Sequence, residues 1–352
     1  MSENVSTEMT SYTVTEEWGG RRLDAIVKAN FDIPWNKARG WIQQGKIRCD
    51  EKVELDLGKN LSTGTIITFH EDAPSPAVLR RLRKKDVLFV DRHLIVVRKA
   101  SGLLSVPFED DDNDSMEHRV RSYLTHMSKQ QNTKKKHTKG RKGSRRPTGR
   151  NRGPASLFTV HRLDKGTSGV MVFARTPHAK EGLIEQFREH TTSRRYLALA
   201  HGHVDDTTYR SYLVRDRGDG KRGSTENALS THVRLNGRGK LAITHVRALE
   251  HLNDATLVEC KLETGRTNQI RIHLSEAGHL IVGDGIYRRG FKGERIASDR
   301  LMLHALALGF LHPVTGQELF FHDPLPEDFE TLLTTLRETP NPPREAPSQE
   351  EE

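Results

Sequence analysis

HRLDKGTSGVMVFAR, residues 161–175, sets an Arg, an Asp, a Lys and two hydroxyls between two apolar runs, LFTV at 157–160 and VMVFA at 170–174. Both runs read as strands. A polar loop between strands is either a turn or the floor of a site. Asp164 stands at a strand end between Arg162 and Lys165, where neighbouring positive charge favours the carboxylate form. An ionised, positioned carboxylate acts as nucleophile or base. The plainer reading is an aspartate that caps a turn. His161, Asp164 and Ser168 also supply the residue types of a hydrolase triad, but Gly166-Thr167-Ser168-Gly169 is not the G-x-S-x-G elbow. The nearest approach to a metal cluster is His201-Gly202-His203, which lacks supporting Cys or acid spacing.

Outward from this loop, strand signals outnumber helical ones. DVLFVDRHLIVVRKASGLLSVP (86–107) predicts two strands turning at Asp91-Arg92. Further strands are predicted at YLALA (196–200), LSTHVRL (229–235), ITHVRALEHL (243–252), TLVECKLE (256–263) and LMLHALALGFL (301–311). TPHAKEGLIEQFREH (176–190) predicts a helix, with Thr176 as cap, Pro177 at the first position and Leu183, Ile184 and Phe187 as an apolar face. NQIRIHLSEAG (268–278) predicts another, stopped by Gly278, with Ile270, Leu274 and Ala277 toward the core and Arg271 on a different face. Strands and helices do not alternate strictly, so the fold class is α+β with a mixed sheet, not a doubly wound parallel fold.

Ahead of this region, residues 13–72 carry a small-domain pattern. RRLDAIVKANF (21–31) places Leu23, Ile26, Val27 and Phe31 at helical spacing, and NKARGWIQQG (36–45) reads as a second short helix. Residues 46–71 read as short strands with turns at Gly58 and Gly64. A Pro-bearing linker over 73–85 follows, while residues 1–12 and the Pro- and Glu-rich tail at 338–352 read as disordered. The acidic run EDDDND (109–114) lacks the glycine of a calcium loop and reads as solvated.

Charge narrows the partners. The 352 residues carry a net charge of +9, yet residues 128–153 alone hold eleven Lys or Arg and no acid, which leaves the remainder at −2. A flexible basic insertion of this kind attracts phosphate backbones; its plainer role is solubility. Cys49 and Cys260 are too few for a disulfide framework and fit a reducing cytoplasm. No apolar run approaches the roughly 20 residues of a membrane span, and the N-terminus has no secretory pattern.

Two resemblances organise these readings. Arg22-Leu23-Asp24, Lys37, Arg39, Ile42, Gly45-Lys46-Ile47 and Gly64-Thr65-Ile66-Ile67 resemble the alpha-L RNA-binding domain of the ribosomal S-four type, with Cys49-Asp50-Glu51 replacing the usual asparagine-glycine turn. HRLDKGTSGVMVFAR resembles the active-site motif of the RluA family of pseudouridine synthases. RRYLALAHG (194–202) resembles the segment that bears that family's tyrosine, ETGRTNQIRIHLSEAGHLIVGDGIY (263–287) its arginine motif, and LMLHALALGFLHPVTG (301–316) its closing strand and hairpin. Asn268 stands where the family usually has His, Leu280 where it has Pro, and Asp284-Gly285 where it has Asp-Pro.

The resemblance implies a pseudouridine synthase fold over 86–337, with a mixed, mostly antiparallel sheet and a small α/β RNA-binding domain at 13–72. It implies an isomerase that turns uridine into pseudouridine without cofactor or metal, as a cytoplasmic monomer. It makes Asp164 the essential acid, which either attacks C1′ or takes a proton from C2′. Tyr196 and Arg271 complete the catalytic set, Arg271 pairing with Asp164. Arg162, Arg39, Lys37 and Lys46 become RNA-binding residues. The implied substrate is large-subunit ribosomal RNA. The alternatives are transfer RNA, or an inactive ribosome-assembly factor on the same fold.

Overall fold

The structure is a computed structural model and describes residues 11–71, 73, 81–107, 114–137, 156–229 and 238–338, with backbone alone over 129–137. The chain divides into two compact units, Met1–Arg81 and Leu82–Glu352.

The first unit contains β1 (Ser11–Thr13), α1 (Leu23–Asn30), α2 (Trp35–Gln43), β2 (Ile47–Cys49), β3 (Lys52–Val53) and β4 (Ile66–Phe69), the strands forming an antiparallel sheet in the order β1-β4-β2-β3. The helical spacing of Leu23, Ile26 and Val27 buries all three against Ala38, Ile42, Ile47 and Ile67. Trp41 stacks on Phe69 at 4.0 Å between ring centroids and closes one end of this core. Ser11 and Tyr12, expected in a disordered lead, instead pair with Thr68 and Ile67, because β4 otherwise offers an open edge. The β2–β3 hairpin keeps its tight turn without glycine: Asp50 (φ 48°) and Glu51 (φ 63°) both adopt left-handed backbone, the geometry an asparagine-glycine pair adopts with less strain.

The second unit runs β5 (Val87–Val90), β6 (Leu94–Lys99), α3 (Met116–His137), β7 (Phe158–Thr159), β8 (Ser168–Ala174), α4 (Pro177–Arg188), β9 (Ser193–His201), β10 (Thr207–Val214), β11 (Gly223–Ser224), β12 (Lys240–Leu252), β13 (Ala255–Leu262), α5 (Gln269–Glu276), β14 (Leu303–Leu311), β15 (Glu318–His322) and α6 (Glu327–Glu338). The sheet order is β11-β10-β12-β13-β9-β14-β8-β6-β5, with β15 added on β14 and β7 on β8. Among the described residues every strand pairing of this sheet is antiparallel except β14 with β8. The expected α+β class with a mixed, mostly antiparallel sheet is what the chain forms.

β8 explains why its apolar run is continuous and not alternating. Met171 and Phe173 pack on one face with Met116, Val120 and Leu124 of α3. Val170, Val172 and Ala174 pack on the other with Ala179 and Leu183 of α4. A strand covered on both faces needs apolar side chains in both phases, each contributing about 1.5–3 kcal/mol where large. Thr176 caps α4 as expected, accepting from the Ala179 N–H.

Several elements depart from the expectation. β10 and α6 were not predicted, and of β15 only the hairpin leading into it was; β10 reads TTYRSYLV, with only its last two residues buried, whereas α6 spaces Phe329, Leu332, Leu333 and Leu336 as one apolar face on the core. Helical backbone runs through 128–137, the start of the basic insertion expected to be flexible, since Gln and Lys are good helix formers. The rest of that insertion, most of the linker, the acidic run except Asp114, and the strand expected at 229–235 except Leu229 lie outside the described residues. Among the described residues no helix is long and apolar enough to cross a membrane.

Candidate active site

The loop from Val160 to Thr167 is tied down atom by atom. Ser105 accepts from the Leu163 N–H and donates to the Leu163 carbonyl at 3.0 and 2.7 Å. Ser101 donates to the Gly166 carbonyl at 2.7 Å, and the Thr167 N–H closes a turn on the Asp164 carbonyl. Lys99, the last residue of β6, is fully buried and donates to the carbonyls of Ala100, Leu103 and Lys165. Burial pulls its pKa down to about 7, against the attraction of Asp164. Sequence reading missed Lys99, the second of the two cations that end the strand LIVVRK.

The loop passes into β8 at Gly169, whose φ is +115°. A Cβ there would stand 2.2 Å from the Ala305 carbonyl oxygen. Glycine is what lets β8 approach β14 in parallel at His304–Ser168.

The hydrolase reading does not survive this geometry. Ser168 is buried, donates to His304 Nδ1 at 2.9 Å and accepts from Arg300 at 2.9 Å; His304 Nε2 in turn faces the Asp323 carbonyl, which assigns the tautomer. His161 accepts the Val172 N–H through Nε2 and stacks on Phe187 at 4.6 Å. Burial, with the charge of Arg194, pushes its pKa down to about 3. Both histidines are structural.

Asp164, Arg162, Tyr196 and Arg271 line one cavity of about 430 Å³, within the size range of small-molecule sites. Tyr196 comes from β9, paired opposite Cys260 of β13. Its hydroxyl makes no hydrogen bond to protein among the described residues. Burial pushes its phenol up to about 12, so it stays protonated at neutral pH.

Arg271 projects from α5, and here the expectation needs correcting. Ala277, expected toward the core with Ile270 and Leu274, is exposed, while Gln269 to Leu274 are all buried, Arg271 among them. Arg271 pairs first with Asp284, donating from Nε at 2.7 Å and Nη2 at 2.8 Å. Nη1 donates to Asn268 at 3.1 Å and stands 3.7 Å from Asp164 Oδ2. The guanidinium carbon lies 5.1 Å from the Tyr287 ring centroid. Burial opposes its charge, but the bonds to Asp284 and the attraction of Asp164 prevail and raise its pKa. Asp284 is held in turn by the backbone N–H groups of Ile286 and Tyr287. Asn268, the residue that departs from the resembled motif, sits at φ 59° and donates to the Tyr287 hydroxyl, so its own oxygen is aimed at Arg271.

The electrostatics of Asp164 also run against the sequence argument. Burial raises its pKa, and Arg271, Arg162 and Lys99 pull the other way. The arginines limit the rise and do not abolish it. Asp284, Tyr287 and Arg194 were missed. Arg194 lines the cavity with its Nε buried and unpartnered while Nη2 donates to the Glu263 carbonyl.

Arg39, Lys37 and Lys46 belong to the first unit. Each lies over an aromatic ring: Arg39 5.2 Å from Trp35, Lys37 5.2 Å from Trp41 and Lys46 5.9 Å from Phe69. Arg39 also bonds the buried Asp24 at 3.2 Å, so part of its charge is spent inside the unit.

Comparison with known proteins agrees with this arrangement. Residues 93–276 match the RNA pseudouridylate synthase family, and residues 21–67 match the S4 domain. A ribosomal large subunit pseudouridine synthase D of Zymomonas mobilis is 31% identical over 339 residues, covering 92% of this chain and 96% of that protein. A protein of the same name from Neisseria meningitidis serogroup B is 31% identical, covering 92% and 81%. An uncharacterised RNA pseudouridine synthase of Bacillus subtilis is 30% identical, covering 92% and 97%. The solved human RNA pseudouridylate synthase domain containing 4 shares the fold, with a TM-score of 0.53 at 23% identity, covering 75% of this chain and 98% of that one. The chain belongs to the RNA pseudouridylate synthase family and is an RNA pseudouridine synthase.

Proposed function

We propose that this protein converts uridine to pseudouridine in large-subunit ribosomal RNA, with Asp164 as the essential acid. The observation that carries the assignment is the cavity in which the Asp164 carboxylate stands 3.7 Å from Arg271, beside Tyr196 and Arg162. The names of the Zymomonas and Neisseria relatives support the choice of RNA.

The reaction breaks the bond between uracil N1 and ribose C1′, turns the base, and joins C5 to C1′; the C5 proton leaves and N1 gains one. Atoms and oxidation state balance within the nucleoside. Asp164 either attacks C1′ or removes the C2′ proton, and both roles require the ionised form. Arg271 stabilises that form, and its clamp to Asp284 and Asn268 sets its aim before substrate arrives. Tyr196 keeps its proton, so it serves as a stacking surface and hydrogen-bond donor and not as a base. The target must leave its stack at a cost of a few kcal/mol, and Arg162, which is exposed, fills the vacated space in this reading. In the first unit, Arg39, Lys37 and Lys46 supply backbone affinity.

The test is an Asp164→Asn variant on transcribed large-subunit ribosomal RNA. Pseudouridine formation should fall by at least about 10³-fold, with RNA affinity retained. Full conversion by the variant refutes the assigned chemistry. Wild-type protein that binds this RNA and converts no uridine points to the inactive assembly factor.

A further inference from the structure

The loop that clamps Arg271 does not end at Tyr287. It continues into RRGFKGER, residues 288–295, and there builds a second cavity of about 420 Å³. Its walls include Lys221, Ile286, Arg288, Arg289, Phe291 and Arg295, and among the described residues no carboxylate lines it. Four cations facing one hollow repel each other, an arrangement that a bound polyanion would relieve.

Two loops make the hollow, and both are held in place. The β10–β11 loop is pinned by Asp216, which accepts the Gly218 and Gly220 N–H groups, and by Asp219, which accepts from the Lys221 N–H. Lys221 Nζ then reaches across to the Ile286 carbonyl at 3.2 Å. On the other side, Phe291 packs on His201 at 4.7 Å, and the Ile296 N–H donates to His201 Nε2. The cations are therefore presented from braced turns, which lowers the ordering cost of binding. Arg289 stands 3.6 Å from Asp219, a long ion pair. Arg288 and Arg295 have no carboxylate partner among the described residues. Ile286 is 45% exposed at the rim, an apolar surface beside the charge.

We propose that this hollow is an RNA subsite that takes phosphodiester oxygens of nucleotides flanking the target uridine, with Ile286 against a neighbouring base. Arginine suits the task because its planar fork matches two phosphate oxygens at once. The position follows from covalent continuity: Asp284 and Tyr287 hold Arg271, and Arg288 is the next residue. RNA seated on Arg288 and Arg295 would be anchored on the loop that aims the arginine beside Asp164. The assignment rests on the proposed RNA substrate, and its test separates the two.

The variant is Arg288→Gln/Arg295→Gln, compared with Arg247→Gln/Arg337→Gln, which removes the same charge elsewhere on the surface. The probe is a transcribed fragment of large-subunit ribosomal RNA, with affinity measured against salt concentration and single-turnover conversion at saturating RNA. The loop variant should bind more weakly, with a log–log salt slope shallower by about 0.7 for each single-strand phosphate left unneutralised, and an unchanged rate at saturation. The control should keep the wild-type slope. Equal slopes in wild type and loop variant overturn the subsite, as does an equal decrease in the control, which would be a net-charge effect. A slope that holds while the saturated rate falls also overturns it. Because affinity is read separately, wild-type protein that binds but converts no RNA refutes the enzymatic reading, while the comparison of salt slopes still decides the subsite.

Discussion

Replacing Arg271 with Gln removes the cation nearest the Asp164 carboxylate while keeping a side chain that can still bond Asn268. At the observed 3.7 Å and an effective dielectric of about 20, the attraction removed is worth about 4–5 kcal/mol. That corresponds to as much as about 10³-fold in favour of the protonated acid. Burial already raises the Asp164 pKa, so the substitution adds to a tendency that is present. The expected result is an acid limb of the pH–rate profile displaced upward, with activity depressed at neutral pH and recovering as the pH is raised. Single-turnover pseudouridine formation across pH reads this directly. The single variant also leaves Asp284 buried without its guanidinium, which costs about 3–5 kcal/mol of stability. The double variant Arg271→Gln/Asp284→Asn removes one charge of each sign and should recover much of that stability while keeping the displaced limb. An acid limb that stays at its wild-type position in both variants refutes the claim that Arg271 holds the carboxylate ionised. A uniform loss at every pH refutes it too, since the arginine would then act on the substrate alone.

Two further outcomes follow from burial and backbone geometry. Burial lowers the pKa of His161 to about 3 and that of His273 to about 4. The unfolded chain takes up these protons near 6.5, so stability present above that pH is lost as pH falls toward the folded values, at about 2 kcal/mol per histidine by pH 5. A His273→Gln variant should lose less stability than wild type between pH 7 and pH 5 in denaturant melts, and equal losses would refute the assignment. Gly169→Ala should cost about 3 kcal/mol or more, because its Cβ would collide with the Ala305 carbonyl. Gly64→Ala, left-handed but facing open space, should cost only about 1 kcal/mol; equal thermal shifts would count against the close approach.

Much of this protein was legible from local pattern. Strand and helix periodicity located β5, β6, β8, α4, β12 and β13, because each buries one face or both and must space its apolar residues accordingly. The loop bearing Asp164 stood out because polar residues interrupt two apolar runs. Elements with little burial were less legible: β10 is held largely by ladder hydrogen bonds to its neighbours, and backbone pairing leaves no side-chain signature, while the short β15 buries Leu319 and Phe321 only in part. β1 escaped for the same reason.

The sequence by itself determined which chemical groups exist and where along the chain the carboxylate, phenol and guanidinium lie. Only the tertiary structure decided their relations. It placed Asp284 before Asp164 as the partner of Arg271, buried Lys99 behind the loop, and made burial the first influence on Asp164. The physical reason is that pairing and desolvation depend on distances of a few ångströms between residues separated by tens to hundreds of positions. Chain order carries no such distances until the strands of one sheet bring those residues to a common cavity.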